Sequence, residues 1–163
     1  MVDAPSLFWG YCDRPADAVV YRSMKTYENT KIKGNSAELE VFCFFNRRGY
    51  IVSLPFGENA PYDVVLESPS GKVYRVQIRW SSWNKEVLRV SLRRSSRGRS
   101  EPLDLKRIDA FVAWDGEKVF VVPVEHLKRC RAAFSLRRSP PKNSQKLGIN
   151  LAADFEQAAQ LLP

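Results

Sequence analysis

A short turn between two runs of β-forming residues constrains the fold more strongly than any other part of the sequence. The runs cover residues 62–67 and 72–80, and Ser68-Pro69-Ser70-Gly71 separates them. Proline suits the second position of a type I turn, and glycine suits the left-handed position that closes a three-residue loop. The sequence therefore predicts an antiparallel hairpin in which Ser68 faces Lys72.

The length of this loop decides which polar side chains share a face of the sheet. With a three-residue loop, Asp63 lies directly across from Gln77. A two-residue loop would instead place Val76 opposite Asp63 and turn Asp63 and Gln77 to opposite faces. Side chains alternate along a strand, so Gln77 and Arg79 point the same way and Ile78 points the other way. We predict a carboxylate, an amide and a guanidinium together on one face.

The remaining apolar patterns predict one helix, a series of short strands and a final helix. We predict helices over 36–48 and 151–162, the second capped by Asn150, and strands over 49–54, 62–67, 72–80, 87–92, 110–114 and 118–122. The polar stretch 93–102 is predicted to be a mobile loop. This order of elements indicates a single α+β domain with a central mixed β-sheet flanked by helices. We divide it into an N-terminal arm (1–30), a core (31–138) and a linker with a C-terminal helix (139–163).

One carboxylate of the first predicted helix lies on its apolar side. At about 100° per residue, Glu38 falls between Phe42 and Phe45. Two explanations stay open. Asn35-Ser36-Ala37-Glu38 has the spacing of a capping box, which would make Glu38 a structural residue at the start of the helix. Alternatively, a neighbouring metal ion offsets the cost of burying the charge.

The charge of the chain favours a polyanionic partner. The formal net charge is +8 at pH 7, and arginine outweighs lysine in two basic clusters, at 89–99 and 128–138. The planar guanidinium suits phosphate groups, and a strong positive field attracts nucleic acids. A basic surface that is merely solvated is the alternative.

Other features disfavour several classes of protein. No apolar run approaches the length of a membrane span, and the N-terminus lacks the layout of a signal peptide. The three cysteines, Cys12, Cys43 and Cys130, fit neither a disulfide framework nor a zinc site. We therefore expect an intracellular protein, cytoplasmic or nucleoid-associated, without a membrane partner. Structural rather than ligand roles are predicted for four further polar residues, Asp104, Asp109, Asp115 and His126.

Five segments, taken in order, resemble a known family. They are Lys31-Ile32-Lys33-Gly34-Asn35-Ser36-Ala37-Glu38, Arg48-Gly49-Tyr50-Ile51-Val52, Leu54-Pro55-Phe56-Gly57, Pro61-Tyr62-Asp63-Val64-Val65 and Tyr74-Arg75-Val76-Gln77-Ile78-Arg79. Their order and spacing resemble the PD-(D/E)XK endonucleases associated with group I introns, the homing endonuclease type. Archaeal Holliday junction resolvases are more distant relatives. The likeness is strongest over 31–92 and implies a core with the restriction-endonuclease-like fold.

The resemblance also implies a metal site. Asp63 would be the principal ligand, Gln77 would stand where most of the superfamily has Asp or Glu, and Glu38 would reach the metal directly or through water. The backbone carbonyl of Ile78 would assist. Such oxygen ligands fit Mg²⁺, for which Mn²⁺ could substitute. Arg79 departs from the family, which has lysine there; arginine keeps the charge and can clamp phosphate, but it cannot act as a general base.

The implied function is a metal-dependent endonuclease that cleaves double-stranded DNA, with Glu38, Asp63, Gln77 and Arg79 carrying the chemistry. The residues expected to bind DNA are Lys33, Arg93, Arg94, Arg97, Arg99, Arg137 and Arg138. Because duplex cleavage needs two sites, we expect a homodimer or homotetramer. Two alternatives stay open, a catalytically inactive nucleic-acid-binding module on the same fold and a DNA junction resolvase.

Overall fold

The computed structural model of the protein describes residues 29–57, 59–96, 99–128, 130, 132–141, 145, 148–156 and 158–163, without the side chains of 95, 96, 99, 158 and 159. The predicted N-terminal arm lies outside the described residues except for its last two. The predicted DNA contact Arg97 also lies outside them.

Helix α1 spans Thr30–Asn46 and begins six residues earlier than predicted. Asn29 caps it, because its side-chain oxygen accepts a hydrogen bond from the backbone N–H of Lys31 at 2.9 Å. The buried residues Ala37, Val41 and Phe45 are four positions apart and therefore lie on one side of the helix. This side packs against the main sheet.

In the part of the chain that the structure describes, ten strands form three sheets. Their bounds are β1 Ile51–Ser53, β2 Val64–Glu67, β3 Val73–Trp80, β4 Trp83–Asn84, β5 Val87–Ser91, β6 Arg93–Ser96, β7 Arg99–Pro102, β8 Ala110–Trp114, β9 Val119–Pro123 and β10 Ala133–Arg137. The main sheet has the order β1-β2-β3-β8-β9, and a three-stranded sheet has the order β10-β5-β4. Strands β3 and β8 are parallel and the other neighbours in the main sheet are antiparallel. The predicted central mixed sheet is therefore confirmed.

The hairpin of β2 and β3 has the predicted register. Val64 pairs with Val76 and Glu67 pairs with Val73, which continues to the closing pair of Ser68 and Lys72. Gly71 has a φ of +83°, as the three-residue loop requires. The position before β2, Asp63, is consequently brought opposite Gln77.

Two hydrophobic cores lie on the two faces of the main sheet. One contains α1 together with inward residues of the strands such as Val76, Ile78 and Val112. The other contains the opposite residues of β8 and β9, such as Phe111 and Phe120, and the three-stranded sheet. Helix α1 therefore covers one face of the main sheet, and the three-stranded sheet packs against the other face.

The prediction of a mobile loop over 93–102 is wrong for 93–96 and 99–102, because these residues form the paired strands β6 and β7. The hairpin leaves the core between Leu92 and Leu103, which are joined by a backbone hydrogen bond of 2.9 Å. Arg93 and Arg94 are exposed. A ribbon that covers no core needs no apolar side chains, so its polar composition resembles that of a loop.

The prediction of one C-terminal helix capped by Asn150 is also wrong. A 3-10 turn, Ala152–Phe155, and a short helix, Ala158–Leu161 (here α3), replace it. Asn150 instead donates from its side chain to the carbonyl of Ser135, and Leu151 forms a bridge to Arg137. The extended backbone at 150–151 follows β10 and delays the start of helical structure. A further short helix, α2, covers Val124–Leu127.

Across the described part of the chain, the structure contains no helix with the length and apolarity that a membrane crossing would need.

Candidate active site

Asp63 and Gln77 meet at the point where β2 begins. The backbone N–H of Asp63 donates to the carbonyl of Val76 at 2.9 Å, which fixes the residue just before the strand. The side-chain amide of Gln77 donates a short hydrogen bond to Oδ2 of Asp63. Gln77 is only 4% exposed, so the register of the hairpin buries an amide beside a carboxylate. The predicted pairing of these two side chains is confirmed.

The next two residues of β3 complete the surroundings of the same oxygen. The N–H of Ile78 donates to Oδ2 of Asp63 at 2.7 Å. Nη1 of Arg79 lies 3.5 Å from Oδ2 and donates to the carbonyl of Ile78 at 2.8 Å. All these contacts end on Oδ2, and no described residue forms a hydrogen bond with Oδ1. One carboxylate oxygen is saturated and the other is available to a ligand.

Glu38 approaches this group from helix α1. Its side chain is partly buried, and burial is the main cause that raises its pKa. The negative charge of Asp63 raises it further, while the positive charge of Arg79 lowers it. These interactions bring Glu38 into the same electrostatic group as Asp63 and Arg79.

The capping-box explanation for Glu38 is wrong. The helix is capped by Asn29 and begins at Thr30, so Asn35 and Glu38 both lie in its interior. The positive charge of Arg79 offsets part of the cost of burying the Glu38 carboxylate, and a neighbouring metal ion stays a prediction.

The pKa of Asp63 is also raised, with burial as the largest cause. The N–H of Ile78, the charge of Arg79 and the amide of Gln77 all oppose this rise without cancelling it. The carboxyl groups of Glu38 and Asp63 therefore both have raised pKa values. A site of this kind gains most from an additional cation, because the cation would favour both charged forms.

The donor atoms present fit a hard divalent ion. They are carboxylate oxygens of Asp63 and Glu38, the amide oxygen of Gln77 and the carbonyl oxygen of Ile78, all preferred ligands of Mg²⁺. The described residues contain no cluster of three or more His, Cys, Asp and Glu side chains. With two carboxylates only, the site matches an ion that keeps several waters and takes further ligands from a phosphate.

The predicted DNA-binding residues divide between two places. Lys33 and Arg138 line one cleft of about 350 Å³ together with Trp80 and Trp83, at the end of β3 that follows Arg79. The Arg138 guanidinium lies over the Trp83 ring, 4.4 Å from its centroid. Asp115 and Glu117 also line the cleft, which therefore joins basic and acidic side chains from distant parts of the sequence beyond the end of β3.

The other predicted contacts lie elsewhere or are already engaged. Arg93 donates to Ser100, and Arg94 forms an exposed ion pair with Glu101 at 3.4 Å. Arg137 donates to the carbonyl of Ser139 at 3.3 Å. The backbone of residue 99 is in β7, but its side chain is not described.

The three aspartates with predicted structural roles have such roles. Asp104 caps a 3-10 turn over Leu105–Arg107, and Asp115 accepts hydrogen bonds from two backbone N–H groups in the turn before β9. Asp109 forms a bidentate ion pair with Arg75. The sequence analysis did not predict that Arg75 pairs with Asp109. Strand alternation places Arg75 on the same face as Gln77 and Arg79 and could have identified it as a candidate.

Comparison with known proteins identifies the family of the chain. A family model described as PD-(D/E)XK endonuclease matches residues 28–158. The chain therefore belongs to the PD-(D/E)XK endonuclease family, which confirms the resemblance and the fold predicted from the sequence.

One solved structure with this fold is a bacterial homing endonuclease, I-Ssp6803I, with a TM-score of 0.65. The two chains are 23% identical, and the match covers 82% of this chain and 93% of that one. At this level of identity the likeness shows the fold alone. No curated protein matches the chain.

Proposed function

We propose that the protein is a Mg²⁺-dependent endonuclease, of the homing type, that hydrolyses phosphodiester bonds in double-stranded DNA. The observation that carries this proposal is the carboxylate of Asp63, which faces Gln77 across the hairpin, has one oxygen available and is electrostatically coupled to Glu38. Membership of the endonuclease family supports the reaction class.

In this proposal each side chain has a separate task. Asp63, Glu38 and the amide oxygen of Gln77 hold the ion. A bound Mg²⁺ would supply Lewis-acid polarisation of the phosphate and a lower pKa for the attacking water. Arg79 donates N–H groups to phosphate oxygens and stabilises the charge that develops on them, but it does not accept a proton.

The cleft lined by Lys33 and Arg138 is the proposed path for the DNA backbone next to the site. Both residues carry a positive charge, and the Trp83 ring packs against the guanidinium of Arg138. Of the two acidic residues in the same cleft, Asp115 is engaged by the indole of Trp83 and by two backbone N–H groups, while Glu117 is exposed. The exposed hairpin of β6 and β7 presents Arg93 and Arg94 as a second contact. Removing phosphate contacts should weaken binding and make it less dependent on salt.

Cleavage of supercoiled plasmid tests the proposed reaction. We expect nicking with Mg²⁺ or Mn²⁺ and none with EDTA. Asp63→Asn should lower the rate at least about 100-fold, because it removes the charge that binds the ion. Asp154→Asn is the matched control, since Asp154 is exposed in a turn far from β2 and β3. Metal-dependent nicking that survives Asp63→Asn would contradict the proposed site.

A second candidate function is a nucleic-acid-binding module that no longer cuts. The observation that favours it is Arg79, which stands where the family has lysine and pairs with Asp63 and Ile78. The native protein would then bind duplex DNA in a salt-sensitive way without nicking it, and Arg79→Lys would gain activity. Nicking by the native protein would exclude this candidate.

We further propose a homodimer or homotetramer, since one chain supplies one site and a duplex has two strands. Light scattering coupled to size exclusion measures the mass of the particle, with and without duplex DNA. A single chain under both conditions would contradict this proposal. An intracellular location is proposed with it, consistent with the free thiols of Cys43 and Cys130.

A further inference from the structure

We infer that the guanidinium of Arg79 occupies the position of the divalent ion until the ion binds, and that the ion then releases Arg79 to a DNA phosphate. The inference rests on the proposed metal site and adds an order of events to it. Arg79 would act as an internal cation that is exchanged between two anionic partners.

The position of Nη1 is the first support. It donates to the carbonyl oxygen of Ile78 at 2.8 Å and lies 3.5 Å from Oδ2 of Asp63. The carbonyl of Ile78 is an expected ligand of the ion, and the Asp63 carboxylate is another, through Oδ1, which accepts no hydrogen bond from a described residue. A positive group already held between two metal ligands takes up the electrostatic role of the metal and repels a second cation.

The orientation of Gln77 is the second support. Its amide nitrogen, not its oxygen, faces the carboxylate of Asp63. A divalent ion needs the amide oxygen, so the amide must turn when the ion enters. The same carboxylate oxygen also accepts from the N–H of Ile78. The hydrogen bonds of this arrangement therefore stabilise the carboxylate with N–H donors in place of an ion.

Arg79 is suited to leave this position. Its side chain is 33% exposed, and its pairing with Asp63 is a single contact of 3.5 Å rather than a bidentate one. The cleft with Lys33 and Arg138 begins at the next residue of β3, Trp80. Trp80 and Arg79 point to opposite faces of β3, so a released guanidinium would meet a DNA backbone that continues from this cleft past the end of the strand.

This exchange makes the binding of metal and the binding of DNA depend on each other. An ion that displaces Arg79 provides a free guanidinium for phosphate, and a phosphate that engages Arg79 vacates the ion's position. By thermodynamic linkage each ligand then raises the affinity for the other by the same factor. An arginine with a purely structural ion pair would produce no such coupling.

Metal affinity in the absence of DNA provides the first test. Mn²⁺ binding is measured by the loss of the free-ion electron paramagnetic resonance signal for the native protein, Arg79→Gln and Arg79→Lys. We expect Arg79→Gln to bind Mn²⁺ about tenfold more tightly or better, because a positive charge near the ion is removed. Arg79→Lys should lie between the two. Arg89→Gln, which removes an exposed charge from β5, should change the affinity by less than about twofold.

DNA affinity provides the second test. Binding of a labelled 30-base-pair duplex, a length of about three helical turns, is measured in EDTA and in Ca²⁺, another oxygen-seeking ion. In EDTA, Arg79→Gln should match Arg89→Gln within about twofold, since Arg79 is still held by Asp63. In Ca²⁺, Arg79→Gln should bind about tenfold more weakly than Arg89→Gln, the effect of a lost charged hydrogen bond.

The outcomes separate this inference from the proposed function. Unchanged or weaker Mn²⁺ binding by Arg79→Gln, in a protein that nicks plasmid, overturns the exchange and leaves the endonuclease standing. An equal loss of DNA affinity in EDTA and in Ca²⁺ overturns it in the same way. If no variant binds Mn²⁺ and none nicks plasmid, the metal site itself fails and the exchange fails with it.

Discussion

Alanine should have opposite effects on stability when it replaces two glycines, Gly34 and Gly71. A Cβ atom added at either position meets no heavy atom within 4 Å, so packing is unchanged. The change in stability therefore depends on the backbone conformation at each position. Gly71 has a φ of +83°, where alanine costs about 1–2 kcal/mol. Gly34 lies in the interior of α1, where alanine gains about 0.5–1 kcal/mol. The two variants should therefore differ by roughly 1.5–3 kcal/mol.

Urea denaturation followed by circular dichroism measures this difference. Gly71→Asn provides an internal check, because asparagine enters the left-handed region more readily than alanine and should cost less. Equal stability of Gly71→Ala and the native protein would mean that the turn does not need a left-handed residue. The three-residue loop, and with it the pairing of Asp63 and Gln77, would then be wrong. Destabilisation by Gly34→Ala would contradict the position of α1.

Three further predictions concern single contacts. Asp63→Asn should raise the free energy of unfolding at neutral pH, because burial raises the pKa of Asp63 and the folded state therefore binds the proton more tightly than the unfolded one. This gain should disappear when the pH of the urea assay is lowered to about 3.8, the ordinary pKa of an aspartate. A variant that is less stable than the native protein at pH 7 would contradict this prediction. Mn²⁺ affinity, measured by calorimetry, should fall on acidification from above the ordinary carboxyl range, since the pKa values of Glu38 and Asp63 are both raised; constant affinity between about pH 5 and 8 would refute this. Tyr50→Phe should cost about 1 kcal/mol in the same urea assay, because its buried hydroxyl donates to the carbonyl of Leu162 at 2.5 Å. Tyr74→Phe should cost less, because the hydrogen bond from its hydroxyl to the carbonyl of Pro163 is exposed to water.

The hairpin that carries Asp63 and Gln77 could be predicted because its information is local. The proline and glycine of the turn specify the loop length, and the loop length specifies the register of every following pair. The prediction needs no knowledge of what covers the sheet. This is why the pairing was predicted correctly while the second sheet, which depends on contacts between β5 and β10, was not predicted.

The errors occur where tertiary contacts override local pattern. The start of α1 was placed at residue 36 because the apolar spacing begins there, but Asn29 supplies the cap and the exposed first turns need no apolar residues. In the ribbon of β6 and β7 none of the described side chains, those of 93, 94 and 100–102, is buried, so alternation gives no signal there. Residues 150–151 look like the start of a helix in sequence, yet they extend along β10.

Helical phase placed Glu38 correctly on the side of α1 that faces the sheet, but it could not separate a cap from a ligand. The start of the helix at Thr30 excludes the cap, because it places Glu38 beyond the first turn, and the ligand role stays a prediction. The engagement of the Ile78 carbonyl by Arg79 could not be predicted either. It depends on the rotamer of a long side chain, which neither strand alternation nor composition determines.

Two pairs of aspartate and arginine on the same part of β3 show what distinguishes a framework residue from a functional one. Arg75 satisfies both oxygens of Asp109, and these hydrogen bonds lower the pKa of that aspartate. Arg79 reaches one oxygen of Asp63 at 3.5 Å, and the pKa of Asp63 stays raised because burial outweighs it. The first carboxylate has little to gain from another cation. The second is partly buried and incompletely neutralised, and no described residue donates to its second oxygen. A divalent ion adds most to a carboxylate in this condition.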